Sequence, residues 1–204
     1  MRAVLLDGMG TLLRLVPPAP ALADALRVDL QTAERAFRAE VTYYLEHQHE
    51  GSDTAGLADL RARCARVMAE AAGVDPDGAL DALLSSLRFE PFQDAAWALA
   101  RLGERGLRRV VVSNWDCSLS DVLEEIGLLK HVDAVIASAV VGAAKPDARI
   151  FEAALAAAKC TAAEAVHVGD SFDNDVEGAE AAGIRPLLLG RDLGSLSELP
   201  ALLS

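Results

Sequence analysis

The chain has 204 residues, 52% of them hydrophobic and 25% charged, with a formal net charge of −12 and a pI near 4.7. That length can bury a sizeable core, and the balance is that of a globular chain. The acidity excludes nucleic acid and anionic membranes as partners, because a negative surface repels both and no basic run offsets it.

In chain order, residues 3 to 7 (AVLLD) read as a short buried strand. One arginine and then four apolar residues lead up to Asp7, too few for a secretory h-region, and no run is long enough to span a bilayer. VPPAP at 16 to 20 breaks the chain. From about 21 to 88 the pattern is helical, punctuated by the GSD at 51 to 53 and by Gly73 with Pro76, and no strand interrupts it. Cys64, Cys117 and Cys160 are few, odd in number and without a Cys-x-x-Cys pair. They predict neither a disulfide framework nor a zinc site, and a reducing cytoplasm is the expected location.

After Pro91 the period changes. A helix is predicted near 93 to 105, then a strand at 108 to 113 (RRVVVS), a helix at 118 to 127 and a strand at 133 to 138 (DAVIAS). A helix at 147 to 159, a strand at 165 to 170 (AVHVGD), a helix at 174 to 182 and a strand at 185 to 190 (RPLLLG) complete the pattern. Apolar strands alternating with helices predict an α/β fold, a doubly wound, Rossmann-like parallel sheet covered on both faces. Residues 1–15 and 90–204 form this core, and 16–89 form an inserted helical subdomain.

Ligands of such sheets lie outside the carboxyl ends of the strands. Asp7 and Thr11 follow the first strand. Ser113, Asn114 and Asp116 follow the second, Lys145 the third, and Asp170, Ser171, Asp173, Asn174 and Asp175 the fourth. Singly, each is an ordinary cap or turn residue. Together they recur in order at four strand ends, which favours a site. Asp7, Asp170 and Asp175 are like charges at one rim, where carboxylates raise their pKa or bind a hard cation such as Mg2+. Lys145 adds a positive charge, and Ser113 and Thr11 add hydroxyls. The set suits a tetrahedral anion with a carboxylate as nucleophile.

This ordered set resembles the haloacid dehalogenase superfamily of hydrolases. DGMGT stands for its first motif, VVVSN for its second, KPDARIF for its third and GDSFDND for its fourth. The resemblance covers nearly the whole chain, and the helical insert is similar to the helical cap of one branch. It implies Asp7 as nucleophile, forming an aspartyl-phosphate that water hydrolyses. Mg2+ would be held by Asp7, Asp170, the Met9 backbone carbonyl and Asp175. Ser113, Asn114 and Lys145 would bind phosphoryl oxygens, with Lys145 also neutralising Asp7 and Thr11 supporting the same anion.

One position departs from the family. Its phosphatases carry a second aspartate two residues after the nucleophile, which protonates the leaving group and activates water. Here that position is Met9, and a thioether does neither. The expected function is therefore a magnesium-dependent phosphohydrolase with weakened acid catalysis on a small phosphorylated substrate. A dehalogenase-like hydrolase that never needed the acid, or a non-catalytic phosphoryl- or metal-binding protein, are the alternatives. Dehalogenases lack the Gly-Asp form of the fourth motif, which this chain keeps. Phosphonate cleavage needs a cap lysine, and residues 14 to 90 contain none.

Other residues are set aside. His47 and His49 in EHQHE do not share a helical face and read as a solvated helix end. His167 reads as core or rim packing and Trp97 as core. Trp115 and Phe172 flank the site, as pocket lining or packing. Tyr43 and Tyr44 belong to the insert. With no sustained heptad pattern, a monomer or a homodimer is expected.

Overall fold

The computed structural model describes residues 1–203. Its strands in chain order are β1 (Ala3–Leu6), β2 (Leu13–Leu15), β3 (Phe89–Pro91), β4 (Arg108–Ser113), β5 (Ala134–Ala137), β6 (Ala165–Gly169) and β7 (Arg185–Leu188). The helices are α1 (Ala19–Leu26), α2 (Leu30–His47), α3 (Thr54–Ala72), α4 (Ala79–Ser86), α5 (Ala95–Glu104), α6 (Leu119–Glu125), α7 (Ser138–Val141), α8 (Ala148–Ala158), α9 (Gly178–Ala181) and α10 (Leu199–Leu202). The chain divides into two compact units, Met1–Arg14 with the chain from Glu90 onward, and Leu15–Phe89.

In the first unit β5, β4, β1, β6 and β7 lie side by side, all parallel. The winding reverses between β1 and β6, so the crevice of a doubly wound sheet opens at their carboxyl ends. β1 is the central strand, and all four of its residues are inaccessible to solvent. Alternation decides which face each residue serves. Ala3, Leu5, Val110 and Val112 join Ile150, Phe151 and Ala154 of α8 in one apolar layer. Val4, Leu6, Val111, Val166 and Val168 alternate with that set and are equally buried. A sheet buried on both faces needs the unbroken apolar strands that the sequence carries.

The second unit is helical. α2 starts at Asp29, whose carboxylate accepts from the Thr32 backbone N–H at 2.9 Å, and α3 at Asp53, which does the same for Gly56 at 2.8 Å. Each satisfies an orphan donor of a helix N-terminus. Pro20 lies in the first turn of α1, where its missing N–H costs nothing, so the helix begins inside the stretch predicted to be a break. Leu22, Leu60, Met68 and Leu83 anchor this unit's core.

The structure departs from the sequence reading in four places. β2 and β3, where the chain passes between units, pair as a short antiparallel ribbon: Val16 donates to the Arg88 carbonyl at 2.8 Å and Phe92 to that of Leu12 at 3.0 Å. The helix predicted at 174 to 182 is instead a wide π-type turn over Phe172–Glu177 followed by α9. α7 was not anticipated. Trp97, read as core, is 50% exposed: Ala95, Ala98, Leu99 and Leu102 form the buried stripe of α5, and Trp97 falls outside it. Among the described residues no helix is long and apolar enough to cross a membrane, and none of the cysteines forms a disulfide.

Candidate active site

Asp7 is the first residue beyond the central strand. Its backbone N–H still continues the ladder, donating to the Val168 carbonyl at 2.9 Å, so the side chain is anchored at the end of the central strand. The next residues turn tightly. The Gly8 carbonyl accepts from Leu12 at 2.8 Å and Leu13 at 3.0 Å, and Gly10 takes a left-handed φ of 84°. Gly10 is required twice over, since a Cβ there would lie 2.1 Å from Asp170 Oδ2. The turn buries Thr11, whose Oγ1 has no hydrogen-bond partner. Met9 stays 36% exposed.

Lys145 reaches this point from the loop after α7. Its Nζ donates to Asp7 Oδ1 at 2.5 Å and to Asp175 Oδ1 at 2.6 Å, with all three side chains buried. Ser113, the last residue of β4, donates its hydroxyl to Asp7 Oδ1 at 3.1 Å. The Asn114 side chain holds the lysine's main chain from both sides: Nδ2 donates to the Lys145 carbonyl at 3.0 Å and Oδ1 accepts from its N–H at 2.7 Å. The bond between Lys145 and Pro146 is cis.

Asp175 enters through the π-type turn. Its Oδ2 accepts from the Ser171 backbone N–H at 3.0 Å, and its Oδ1 accepts from Lys145 and from His167 Nε2, the latter at 2.9 Å. The sequence pattern predicts a helix from 174; the π-type turn over Phe172–Glu177 stands there instead, with the Asp175 carboxylate against Gly169 and His167. Asp170 stands exposed on the rim. One oxygen from each of Asp7, Asp170 and Asp175 lies within 4.8 Å of the others.

Electrostatics follow from burial and partners. Burial pushes the Asp7 carboxyl above its usual range and the Asp175 charge adds to this, while Lys145 pulls it back. Burial acts on Asp175 too, but the His167 hydrogen bond and Lys145 overcome it and hold Asp175 far below the usual carboxylate range. Burial lowers Lys145, yet two carboxylates overcome that and raise it, so it remains an ammonium. Partial burial and Asp175 together raise Asp170. Three carboxylates against one ammonium leave a negative excess that a divalent cation would neutralise. The gap kept open by Gly10 leaves room for the Asp170 carboxylate, so the donor set fits a hard ion.

Of the residues singled out at the strand ends, Asp7, Ser113, Asn114, Lys145, Asp170, Ser171 and Asp175 are brought together here. Asp116 is buried and its Oδ1 accepts from the Ser118 N–H at 2.8 Å. Trp115 is buried, and Phe172 is exposed with the Arg191 guanidinium 6.0 Å from its ring centre. His47 is stacked on Tyr43 and its Nδ1 lies 2.8 Å from the Tyr43 carbonyl, while Arg63 donates to the Tyr43 hydroxyl at 2.7 Å. The sequence reading missed His167 as a partner of the site. The available signal was a polar residue on the same strand face as Gly169 two positions on.

A buried carboxylate bridged to a lysine stands at the switch point of a doubly wound sheet, where α/β proteins of this class hold their ligands. The family model for haloacid dehalogenase-like hydrolases matches residues 1–183, and the chain belongs to that family. It is 33% identical to the phosphoserine phosphatase of Thermus thermophilus, over 95% of this chain and 90% of that one. Haloacid dehalogenase-like hydrolase domain-containing protein 3 of Mus musculus is 41% identical over 52% of this chain, a stretch that spans only 42% of the mouse protein. The L-2-haloacid dehalogenase of Xanthobacter autotrophicus shares the fold at a TM-score of 0.75 and 20% identity, covering 100% of this chain and 98% of that one.

Proposed function

We propose that this chain is a cytoplasmic, helical-cap member of its family that hydrolyses small phosphate monoesters or acyl phosphates through Asp7, with Mg2+ bound. The observation that carries this reading is the Lys145 ammonium held at 2.5 Å from Asp7 and 2.6 Å from Asp175 at the switch point. Asp7, Asp170, Asp175 and the Met9 carbonyl would hold the metal, which would supply charge neutralisation for the phosphoryl group.

Asp7 attacks phosphorus and the bond to the leaving oxygen breaks, giving an aspartyl-phosphate. Water then attacks that phosphorus, releasing phosphate and restoring Asp7. Lys145 and the Ser113 hydroxyl, both already on Asp7 Oδ1, orient the nucleophile and donate to phosphoryl oxygens as they arrive. Thr11, buried with an unmatched hydroxyl, supports the same anion. Asn114 serves by fixing the Lys145 main chain. The unit Leu15–Phe89 selects the substrate as the cap.

Met9 sets the substrate class. General acid help is worth roughly 10²–10⁴-fold, and here the departing oxygen takes its proton from water alone. Phosphoserine, named for the Thermus relative, is an alkyl ester and would be turned over slowly. Acyl and aryl phosphates leave readily without a proton and are the preferred class. Phosphate release from acetyl and p-nitrophenyl phosphate, compared with sugar phosphates and with and without Mg2+, tests this. Metal-dependent turnover of the first two, abolished by Asp7→Asn, is expected, and Met9→Asp should raise the rate on alkyl phosphates. No release from any of them sinks the proposal.

A further inference from the structure

His167 lies in the middle of β6, opposite Leu5 on one side and Pro186 on the other, and is wholly buried. Its strand face is the apolar layer under α8, where Phe151 meets the imidazole edge-on with ring centres 5.0 Å apart and planes at 88°. A histidine there costs more than an aliphatic residue unless its polar atoms are matched. One is: Nε2 lies 2.9 Å from Asp175 Oδ1. The other, Nδ1, is buried with no partner.

These two facts assign the tautomer. The Asp175 carboxylate accepts from Lys145 and from the Ser171 N–H, which marks it as ionised, so the proton in its contact with His167 sits on Nε2. A proton on Nδ1 would be a buried donor with no acceptor, so that nitrogen stays bare. Gly169, two residues along the same strand face, supplies the space: a Cβ there would fall 2.2 Å from the Asp175 Cγ. A continuous chain of contacts therefore runs from Phe151 through His167, Asp175 and Lys145 to Asp7.

We infer that His167 is a positioning residue for the reaction: as a neutral Nε2–H donor it fixes the Asp175 carboxylate and, through it, the Lys145 ammonium in front of Asp7. Without it, Asp175 keeps only the Ser171 N–H and the lysine it is meant to hold, and a carboxylate anchored by one backbone donor can swing. The inference rests on the phosphohydrolase reading for its kinetic consequence, though not for its geometry. Plain packing would ask of position 167 only bulk.

Two substitutions separate these roles. H167Q keeps a donor at nearly the same reach, whereas H167L keeps comparable bulk and removes it. With p-nitrophenyl phosphate and Mg2+, H167L should lower kcat about 10–100-fold at nearly unchanged KM, as loss of a supporting hydrogen bond behind a reacting group does. H167Q should recover most of that loss. Equal activity of the two folded variants, whether both high or both low, overturns the inference. A second measurement needs only the wild-type protein and no turnover: long-range ¹⁵N–¹H correlation of the histidine ring. A neutral ring protonated on Nε2 supports the inference, and protonation on Nδ1 or on both nitrogens overturns it. If wild type releases no phosphate, the phosphohydrolase reading fails and the ring spectrum alone decides this one.

Discussion

Asp175 in the sheet unit and Glu40 in the helical unit are both carboxylates under the surface, yet one is held ionised and the other is pushed toward its neutral form. Asp175 collects three donors, from Lys145, His167 and the Ser171 backbone, and is held ionised well below its usual range. Glu40, at 5% exposure on α2, has desolvation against it with the Cys64 thiol as a hydrogen-bonding neighbour, and its pKa rises to about 7. Burial is common to both, so the donors decide. A buried acid with a cation and two N–H groups is a fixed charge; one beside a thiol is a neutral side chain that ionises near physiological pH.

The strongest test converts the first case toward the second. Lys145→Met leaves Asp7 and Asp175 buried without their cation, and breaking a buried pair from one side costs about 3–5 kcal/mol. Denaturant unfolding should show that loss together with loss of turnover.

Next is the pH dependence of Glu40. Its folded pKa lies above the ordinary 4.5, so the folded chain binds more protons than the unfolded chain between these values. The helical unit is therefore most stable below pH 4.5 and loses stability as pH rises to about 7, by on the order of 3 kcal/mol. Glu40→Gln should remove that slope and raise Tm at pH 8. An unchanged slope would mean that Glu40 is solvated after all. Asp175 contributes the opposite sign, stability lost only under strong acid, as the depressed pKa requires.

A smaller effect is expected from the cation itself. Mg2+ at a hundredfold excess over its dissociation constant should stabilise the fold by about 2.7 kcal/mol, read as a rise in Tm that Asp170→Asn diminishes. Smallest of all is Asp29→Ala. Asp29 is exposed and bonded to Thr32, so calorimetry should show a drop in Tm well below that of Lys145→Met.

Much of the sheet unit was legible because a strand buried on both faces writes itself as an apolar run. Arg108–Ser113 and Ala165–Gly169 were visible in this way, and the residues following them could be placed at one rim by the parallel topology alone. That Asp7, Lys145 and Asp175 meet there was therefore readable. The partners that complete the cluster were not. His167 looks like any strand residue, since only the Asp175 turn brings a carboxylate to it, and the π-type width of that turn has no signature in SFDND. Trp97 was misjudged because its helix buries alanines and leucines and leaves the largest side chain outside. The Glu40 environment was equally hidden, because Cys64 approaches it from another helix.

The ribbon of Leu13–Leu15 and Phe89–Pro91 makes the helical unit a detachable module. Its two covalent junctions are neighbouring strands, about 5 Å apart as paired strands are, so the gap left by excising it could be closed by a hairpin turn. The turn that carries Asp7 lies before the first of these strands, so a change of insert between them leaves that turn untouched in sequence.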